Sequence, residues 1–205
     1  MIEVITVFLT WLEKIRLKSI LRKYKGINIV VLGWRYVGKS TYLEQLEKQS
    51  CLIERRYSPT TGINPIKFTA ELENGRLIKI KTEDVGGDES QWTNWRDVIR
   101  KNKPKIIIFL VDHENFEMHI KTLQFLRSEL KMYGKRCKFM LFLINKSAYG
   151  HPNNYEEIYK KFAKELSIYE KSLNITVYHS YCSAKYNINV VEPLAKVLKK
   201  AVWYY

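Results

Sequence analysis

Residues 33–40 read Gly33-Trp34-Arg35-Tyr36-Val37-Gly38-Lys39-Ser40, and the architecture of the chain can be worked out from them. It fits the pattern G-x-x-x-x-G-K-[ST] and lies between an apolar run at 27–32 and a helix-compatible run at 41–49. A strand that leads into a glycine-bracketed turn and then a helix directs backbone N–H groups and the positive end of the helix dipole at one point. Such a loop binds polyphosphate, with Lys39 on the β- and γ-phosphates and Ser40 on a Mg²⁺ ion. The predicted phosphate contacts come from Gly33, Arg35, Tyr36, Val37, Gly38, Lys39, Ser40 and Thr41.

Size and composition predict one domain, at residues 26–205, preceded by a separate segment at residues 1–25. A chain of 205 residues can bury an ordinary core. The three cysteines, an odd number at unrelated spacings, indicate neither a disulfide framework nor a zinc site, and we expect a reducing, cytoplasmic environment. A net charge of +14 predicts attraction to anionic lipid, nucleic acid or acidic protein. Because the basic residues are spread along the chain, nucleic acid is the least favoured of these partners.

Residues 1–25 combine an apolar half, which ends at Leu12, with a basic half between Lys14 and Lys25. The apolar run is far shorter than the roughly 20 residues that cross a bilayer. Positive charge follows this run, whereas in a secretory signal it comes first. The spacing instead predicts an amphipathic helix. This helix either lies weakly and reversibly on an anionic membrane surface or packs on the domain.

Apolar runs alternate with helical patterns along the rest of the chain. Two strand-like runs, 66–72 and 77–82, flank Asn74-Gly75, a pair typical of a β-hairpin turn. The other predicted strands are 105–111, 138–144 and 175–179, and the predicted helices after the first are 114–133, 154–169 and 190–202. This order predicts an α/β fold, with a six-stranded, mostly parallel sheet, one antiparallel edge strand and helices on both faces. A ligand binds such a sheet at the carboxyl ends of its strands.

Four further motifs lie in the loop after the first helix or where strands are predicted to end. They are Pro59-Thr60-Thr61-Gly62, Asp84-Val85-Gly86-Gly87, Asn145-Lys146 and Cys182-Ser183-Ala184-Lys185. Together with the phosphate loop, they resemble the five nucleotide-binding motifs of Ras-superfamily small GTPases, over about residues 27–202. The Pro-Thr-x-Gly and Asp-x-Gly-Gly forms and Trp95-Arg96 are most similar to the ADP-ribosylation-factor (Arf/Sar) branch. That branch keeps an amphipathic helix where this chain has residues 1–25.

The resemblance implies a P-loop NTPase fold of the small G domain type, which binds GTP and GDP with Mg²⁺. Ser40 and Thr60 would ligate the ion directly and Asp84 through water. Gly87 would donate its N–H to the γ-phosphate, so that GTP orders the two switch loops, 55–62 and 85–99, and GDP loosens them. The guanine base would be contacted by Asn145, Lys146, Ser183, Ala184 and Lys185.

One departure from the family pattern concerns the choice of base. Where the family has Asn-Lys-x-Asp, this chain reads Asn145-Lys146-Ser147-Ala148. The missing carboxylate normally accepts hydrogen bonds from guanine, and bonds to charged groups contribute about 1.5–3 kcal/mol each. We expect GTP and GDP to bind with relaxed discrimination against adenine, because the phosphates and Mg²⁺ supply most of the affinity.

Two departures concern hydrolysis and define the candidate catalytic residues, Asp88 and Arg35. Asp88 stands where the family usually has the glutamine that orients the attacking water, so we expect slow hydrolysis unless Glu89 or Gln91 reaches in instead. Arg35 stands in the phosphate loop where related proteins have glycine or a small acidic residue. It either stabilises developing negative charge in cis, as an arginine finger does, or faces solvent.

Trp92 and Trp95 fall in the second switch loop, where exposed aromatic side chains often contact effectors. They are predicted to form a partner surface, with filling of the core as the alternative for Trp95. The leading hypothesis is an Arf-like GTP-binding switch that hydrolyses GTP slowly, associates with membranes through residues 1–25 and acts on effector and regulator proteins. The alternative is a pseudo-GTPase scaffold that binds nucleotide weakly or constitutively and acts through protein partners. A nucleic-acid-binding NTPase is the least supported reading.

Overall fold

The computed structural model describes residues 26–48, 60–71, 77–145 and 155–203. Several predictions concern residues outside these ranges. They are the amphipathic helix at 1–25, the turn at Asn74-Gly75, most of the loop 55–62, and the base-motif residues Lys146 and Ala148. Among the described residues, no helix is both long and apolar enough to cross a bilayer.

Strands and helices alternate along the described part of the chain, as the sequence pattern predicts. The strands are β1 Ile27–Leu32, β2 Ile63–Glu71, β3 Leu77–Val85, β4 Ile106–Val111, β5 Phe139–Ile144 and β6 Thr176–Tyr181. The helices are α1 Lys39–Lys48, α2 Trp92–Asn102, α3 Phe116–Tyr133, α4 Tyr155–Leu173 and α5 Val191–Trp203, and a short 3₁₀ turn, Glu89–Gln91, precedes α2.

The six strands form one sheet in the order β2-β3-β1-β4-β5-β6. The β2–β3 pair is antiparallel and the other four pairs are parallel. Every residue of β4 and of β5 is buried. Since successive strand residues point to opposite faces, both faces of the sheet are covered there. The predicted small G domain sheet, with one antiparallel edge strand, is therefore confirmed.

Two features of the second switch region differ from the sequence prediction. Strand β3 continues through Val85 because Asp84 pairs with Val31 of β1 and Val85 with Ile63 of β2. The carboxylate of Asp84 therefore lies on a strand rather than in the loop that follows it. In addition, helix α2 occupies much of the predicted switch loop, since its buried residues recur at helical spacing.

Candidate nucleotide-binding site

The phosphate loop joins the end of β1 to the start of α1 and accepts only glycine at its two ends. A Cβ atom on Gly33, whose φ is 148°, would lie 2.3 Å from the carbonyl oxygen of Leu110. A Cβ atom on Gly38, whose φ is 87°, would lie 2.4 Å from Nδ2 of Asn145. Both φ values fall in the region that favours glycine, and both spaces are closed to a side chain. The loop therefore closes tightly around the start of α1, as a phosphate-binding loop requires.

Lys39 is held inside this loop and is only 6% exposed. Its Nζ donates hydrogen bonds to the carbonyl oxygens of Gly33, at 3.0 Å, and Trp34, at 2.9 Å. Burial lowers the pKa of Lys39 to about 8, and the negative charges of Asp84 and Asp88 partly offset this effect. A buried ammonium group with only carbonyl partners lacks full charge compensation, so an anion placed in the loop would stabilise it.

Three oxygen donors meet beside Lys39, from three different elements. Ser40 at the start of α1 donates from Oγ to Oδ2 of Asp84 at 2.6 Å. Thr60 places its Oγ1 3.0 Å from Oγ of Ser40 and 3.3 Å from Oδ2 of Asp84. The second carboxylate oxygen of Asp84, Oδ1, is buried and has no hydrogen-bond partner within the described part of the chain. A buried carboxylate oxygen needs a partner, and hard oxygen donors are those that Mg²⁺ prefers, so these residues fit the ion.

The second switch lies directly against the phosphate loop. A Cβ atom on Gly87 would lie 2.5 Å from Nζ of Lys39 and 2.6 Å from the carbonyl oxygen of Gly33. The N–H of Gly86 donates to the carbonyl of Gly62 at 3.3 Å, and the N–H of Gly62 donates to Oε1 of Gln91 at 3.1 Å. The end of the first switch therefore contacts the start of the second at the position predicted for the γ-phosphate.

The three side chains after Gly87 that could stand in for the missing glutamine each have a partner. Asp88 accepts a hydrogen bond from Nη1 of Arg35 at 3.1 Å. Glu89 forms an ion pair with Lys121 at 2.9 Å. The side-chain oxygen of Gln91 accepts bonds from the N–H of Gly62 and from Asn94. The alternative that Glu89 or Gln91 replaces the missing glutamine therefore finds no support in this arrangement.

Asn145, at the end of β5, joins the phosphate loop to the loop after β6. Its Nδ2 donates to the carbonyl of Val37 at 2.7 Å, and its Oδ1 accepts from the N–H of Ala184 at 3.0 Å and from Sγ of Cys182 at 3.5 Å. Ser183 and Ala184 are buried, and paired backbone hydrogen bonds between Ser183 and Ile188 close the loop. The predicted base contacts therefore lie on a braced loop, and this bracing role of Asn145 was not predicted from the sequence.

Comparison with known proteins agrees with this geometry. The model of the ADP-ribosylation factor family, Arf, matches residues 13–201. The chain belongs to the Arf family. Similar individual proteins include the ADP-ribosylation factor-like proteins 4A of Mus musculus, Bos taurus and Homo sapiens, each 30% identical over 99 residues. The matched stretch is 48% of this chain and 47% of each relative, so the chain spans about half the length of these relatives.

In this Arf-family chain, the predicted partner surface at Trp92 and Trp95 needs correction. Trp92 is 7% exposed and Trp95 is fully buried. Their Nε1 atoms donate to the carbonyl oxygens of Gly87, at 3.3 Å, and Gly86, at 2.9 Å. Both rings pack on Phe125, because they belong to the apolar face of α2. The two indoles therefore support the backbone of the second switch from beneath and are not available to a partner in this conformation.

The remaining predicted residues divide into three groups. The described residues that are predicted to bind phosphate and metal lie close together at the carboxyl ends of β1 and β3. Lys185 is exposed at the other end of the site, with its Nζ 5.2 Å from the ring centroid of Tyr186. Arg35 is half exposed and pairs with Asp88, so neither of its two predicted environments describes it fully. The Arf-family site is thus assembled, and its two unusual charged residues contact each other.

Proposed function

We propose that this chain is an Arf-like GTP-binding switch that binds GTP and GDP with Mg²⁺ and hydrolyses GTP slowly. The observation that carries the proposal is the meeting of Ser40, Thr60 and Asp84 beside Lys39, with Oδ1 of Asp84 buried and without a partner among the residues that the structure describes. Membership of the Arf family supports the same reading. A domain that served only as a scaffold would have no use for converging metal ligands beside a buried lysine.

In this proposal the phosphate loop and Lys39 bind the nucleotide phosphates, and bound Mg²⁺ supplies charge neutralisation on the phosphate oxygens. Thr60 would respond to an ion in the site, because its Oγ1 contacts both Oγ of Ser40 and Oδ2 of Asp84. The backbone hydrogen bond between Gly86 and Gly62 links the two switches. Ordering of one switch therefore favours ordering of the other, which is the change that effector and regulator proteins would recognise.

Slow hydrolysis is supported by the partners of the side chains after Gly87. A residue that orients the attacking water needs a free polar group near the γ-phosphate. Asp88 is paired with Arg35, Glu89 with Lys121, and Gln91 holds the N–H of Gly62. None of the three is placed to supply that group without losing its present contact.

Relaxed base preference is part of the same proposal. Asn145 keeps its contacts with the phosphate loop and with the loop that contains Ala184. The carboxylate that would accept hydrogen bonds from guanine is replaced by Ala148. We expect the energy of binding to come mainly from the phosphates, with discrimination against adenine reduced by about tenfold or more for each charge-assisted bond that is lost.

We also propose reversible, peripheral association with the cytoplasmic surface of an anionic membrane through residues 1–25. One structural feature supports this proposal. A cavity of about 280 Å³ at the carboxyl ends of α2 and α3 is lined by Arg100, Lys103, Met132, Tyr133, Lys135 and Arg136. No carboxylate is among these residues. The cavity lies near the start of β1, because Nδ2 of Asn28 in that strand donates to the carbonyl of Asn102, next to Lys103. Residues 1–25 directly precede this part of the chain. Anionic lipid would thus meet positive charge from both the segment and the domain.

The nucleotide part of the proposal is tested by identifying the nucleotide released when the purified chain is denatured. Binding of guanine nucleotides is then measured with and without Mg²⁺. We expect Lys39→Ala to abolish tight binding. Lys48→Ala is the matched control, because Lys48 lies on the same helix and is paired only with Glu44 in the described residues. A folded wild-type chain that binds neither GTP nor GDP would refute the switch and favour the scaffold.

The membrane part is tested by sedimentation with anionic and neutral vesicles in both nucleotide states. We expect binding to anionic vesicles that depends on residues 1–25 and is stronger with a GTP analogue. If removal of residues 1–25 leaves sedimentation unchanged in both states, the membrane proposal fails while the nucleotide proposal stands.

A further inference from the structure

The two charged residues that depart from the family pattern form one contact. Arg35 lies in the phosphate loop, and Asp88 directly follows Gly87, 53 positions after Arg35 in the sequence. Nη1 of Arg35 lies 3.1 Å from Oδ1 of Asp88. The two side chains are 48% and 34% exposed. A surface ion pair of this kind contributes little to folding stability. Its position at the nucleotide site, rather than its strength, indicates a function.

The pair lies at the mouth of the phosphate loop. Gly87, the neighbour of Asp88, is so close to the loop that a Cβ atom there would contact Nζ of Lys39. Asp88 therefore places a negative group beside the phosphate loop, next to the lysine predicted to bind the β- and γ-phosphates, and this charge would repel an added phosphate.

Aromatic rings limit where the guanidinium group of Arg35 can go. It lies 5.5 Å from the ring centroid of Trp34 and 5.7 Å from that of Tyr36, within reach of cation–π attraction. Trp34 is itself buried and packs edge-on against Trp92, with ring centroids 6.1 Å apart. The guanidinium group thus lies against Trp34, which packing holds in place, and it can change its polar partner while it stays at the loop.

We propose that Asp88 and the terminal phosphate of a bound nucleoside triphosphate compete for Arg35, so that this pair determines how strongly the site prefers triphosphate over diphosphate. This inference rests on the proposed nucleotide-binding function. A phosphate offers the guanidinium a bidentate, doubly charged partner, which is stronger than one carboxylate oxygen. When Arg35 turns to the phosphate, Asp88 is left unpaired beside like charge and moves away.

This exchange of partners gives the switch a direct mechanical consequence. Asp88 immediately precedes the 3₁₀ turn Glu89–Gln91, and the N–H of Gln91 donates to the carbonyl of Asp88 at 2.9 Å. Side-chain Oε1 of Gln91 also holds the N–H of Gly62 in the first switch. Displacement of Asp88 would therefore move Gln91 in the second switch and, through it, Gly62 in the first. A diphosphate has no γ-phosphate to compete for Arg35, so it leaves the Arg35–Asp88 pair intact.

The test compares affinities for GDP and for a non-hydrolysable GTP analogue, both with Mg²⁺, in the full-length chain. Asp88→Asn removes the repulsion and frees Arg35, so the preference for triphosphate should rise about tenfold. Arg35→Ala leaves Asp88 unopposed, so the preference should fall about tenfold. The double variant should return close to the wild-type ratio, and Arg35→Lys should keep much of it. Both residues are substantially exposed, so melting temperatures should stay close to wild type and serve as the check on folding.

The pattern of signs separates this inference from a merely structural role. A structural effect would change the affinity for both nucleotides alike and leave their ratio unchanged. The inference would be overturned if the ratio of the two nucleotide affinities were equal in the wild type and all four variants. It would also be overturned if Asp88→Asn and Arg35→Ala shifted that ratio in the same direction. Either result would leave nucleotide binding established. Failure of the wild-type chain to bind either nucleotide would instead overturn the proposed function, and this inference with it.

Discussion

Replacement of Asn145 by alanine should loosen the nucleotide site more than any other single change at its base-binding end. Asn145→Ala removes the donor to the carbonyl of Val37 and the acceptor for the N–H of Ala184. It does not remove a residue from the core, because the side chain lies between two loops. The change therefore separates the phosphate loop from the loop after β6 while leaving the sheet as it is.

The expected cost follows from the two backbone groups that are left without partners. Asn145 is 3% exposed, and both of these hydrogen bonds are buried. An unsatisfied buried polar group costs about 1–3 kcal/mol. Two such groups predict a loss of about 2–6 kcal/mol in the free energy of unfolding. That is a large fraction of the 5–15 kcal/mol typical of a domain. Asn145→Asp keeps the acceptor oxygen, but it places a carboxylate oxygen against the carbonyl of Val37 and buries a charge, so its loss should be at least as large as that of the alanine variant.

The assay is equilibrium denaturation in urea together with the rate of nucleotide release. We expect a lower urea midpoint for Asn145→Ala, with an unchanged slope, and faster release of GDP because the phosphate loop loses a brace. Asn28→Ala is the matched control. Asn28 also donates one side-chain hydrogen bond to a backbone carbonyl, that of Asn102, but does so at the opposite end of β1. It should lower stability without accelerating release.

Two results would contradict the reasoning. If Asn145→Ala is as stable as wild type, the two hydrogen bonds do not carry the proposed energy. If both variants accelerate nucleotide release in proportion to their loss of stability, then release follows global stability and Asn145 is not a specific brace.

Three further predictions follow from single features of the site and surface. The pKa of Lys39 in the folded state, about 8, lies below its ordinary value of 10.5. Between about pH 8 and 10.5 the unfolded chain therefore binds more protons than the folded chain. The free energy of unfolding should rise with pH across that range. Nucleotide affinity, which needs charged Lys39, should fall above pH 8, and titration calorimetry in two buffers should detect proton uptake. Trp95→Phe leaves the carbonyl of Gly86 without its donor and should lower the free energy of unfolding by about 1–3 kcal/mol, measured in urea. Replacing Lys135 and Arg136 together by glutamate should weaken sedimentation with anionic vesicles at low salt without changing nucleotide affinity, and equal sedimentation would exclude a role for the basic cavity.

Some of the site could be predicted from the sequence because its motifs are local. The spacing of Gly33, Gly38 and Lys39 depends only on how a strand, a tight turn and a helix follow each other. The order of the apolar runs predicts the sheet and the edge at which the motifs meet. The resemblance to the Arf branch, rather than the order of the apolar runs, implies that Ser40, Thr60 and Asp84 lie near one another.

The contacts between the motifs could not be predicted in this way. The family resemblance assigns the residues of α2 to a switch loop, although its apolar residues recur at helical spacing. The same assignment favours a partner surface at Trp92 and Trp95, with filling of the core as the alternative only for Trp95. An indole at a switch can point to solvent or to the core, and only packing density decides between them.

The local spacing of the phosphate loop and the order of strands and helices are enough to predict a phosphate-binding α/β domain, and the five motifs together make it similar to the Arf branch. The sequence also contains two unusual residues, Arg35 and Asp88. Their contact follows only from the fold, since 52 residues, among them those of α1, β2 and β3, lie between them along the chain. Arg35 would attract a phosphate and Asp88 would repel it, and folding joins them in one ion pair because it brings them within 3.1 Å of each other.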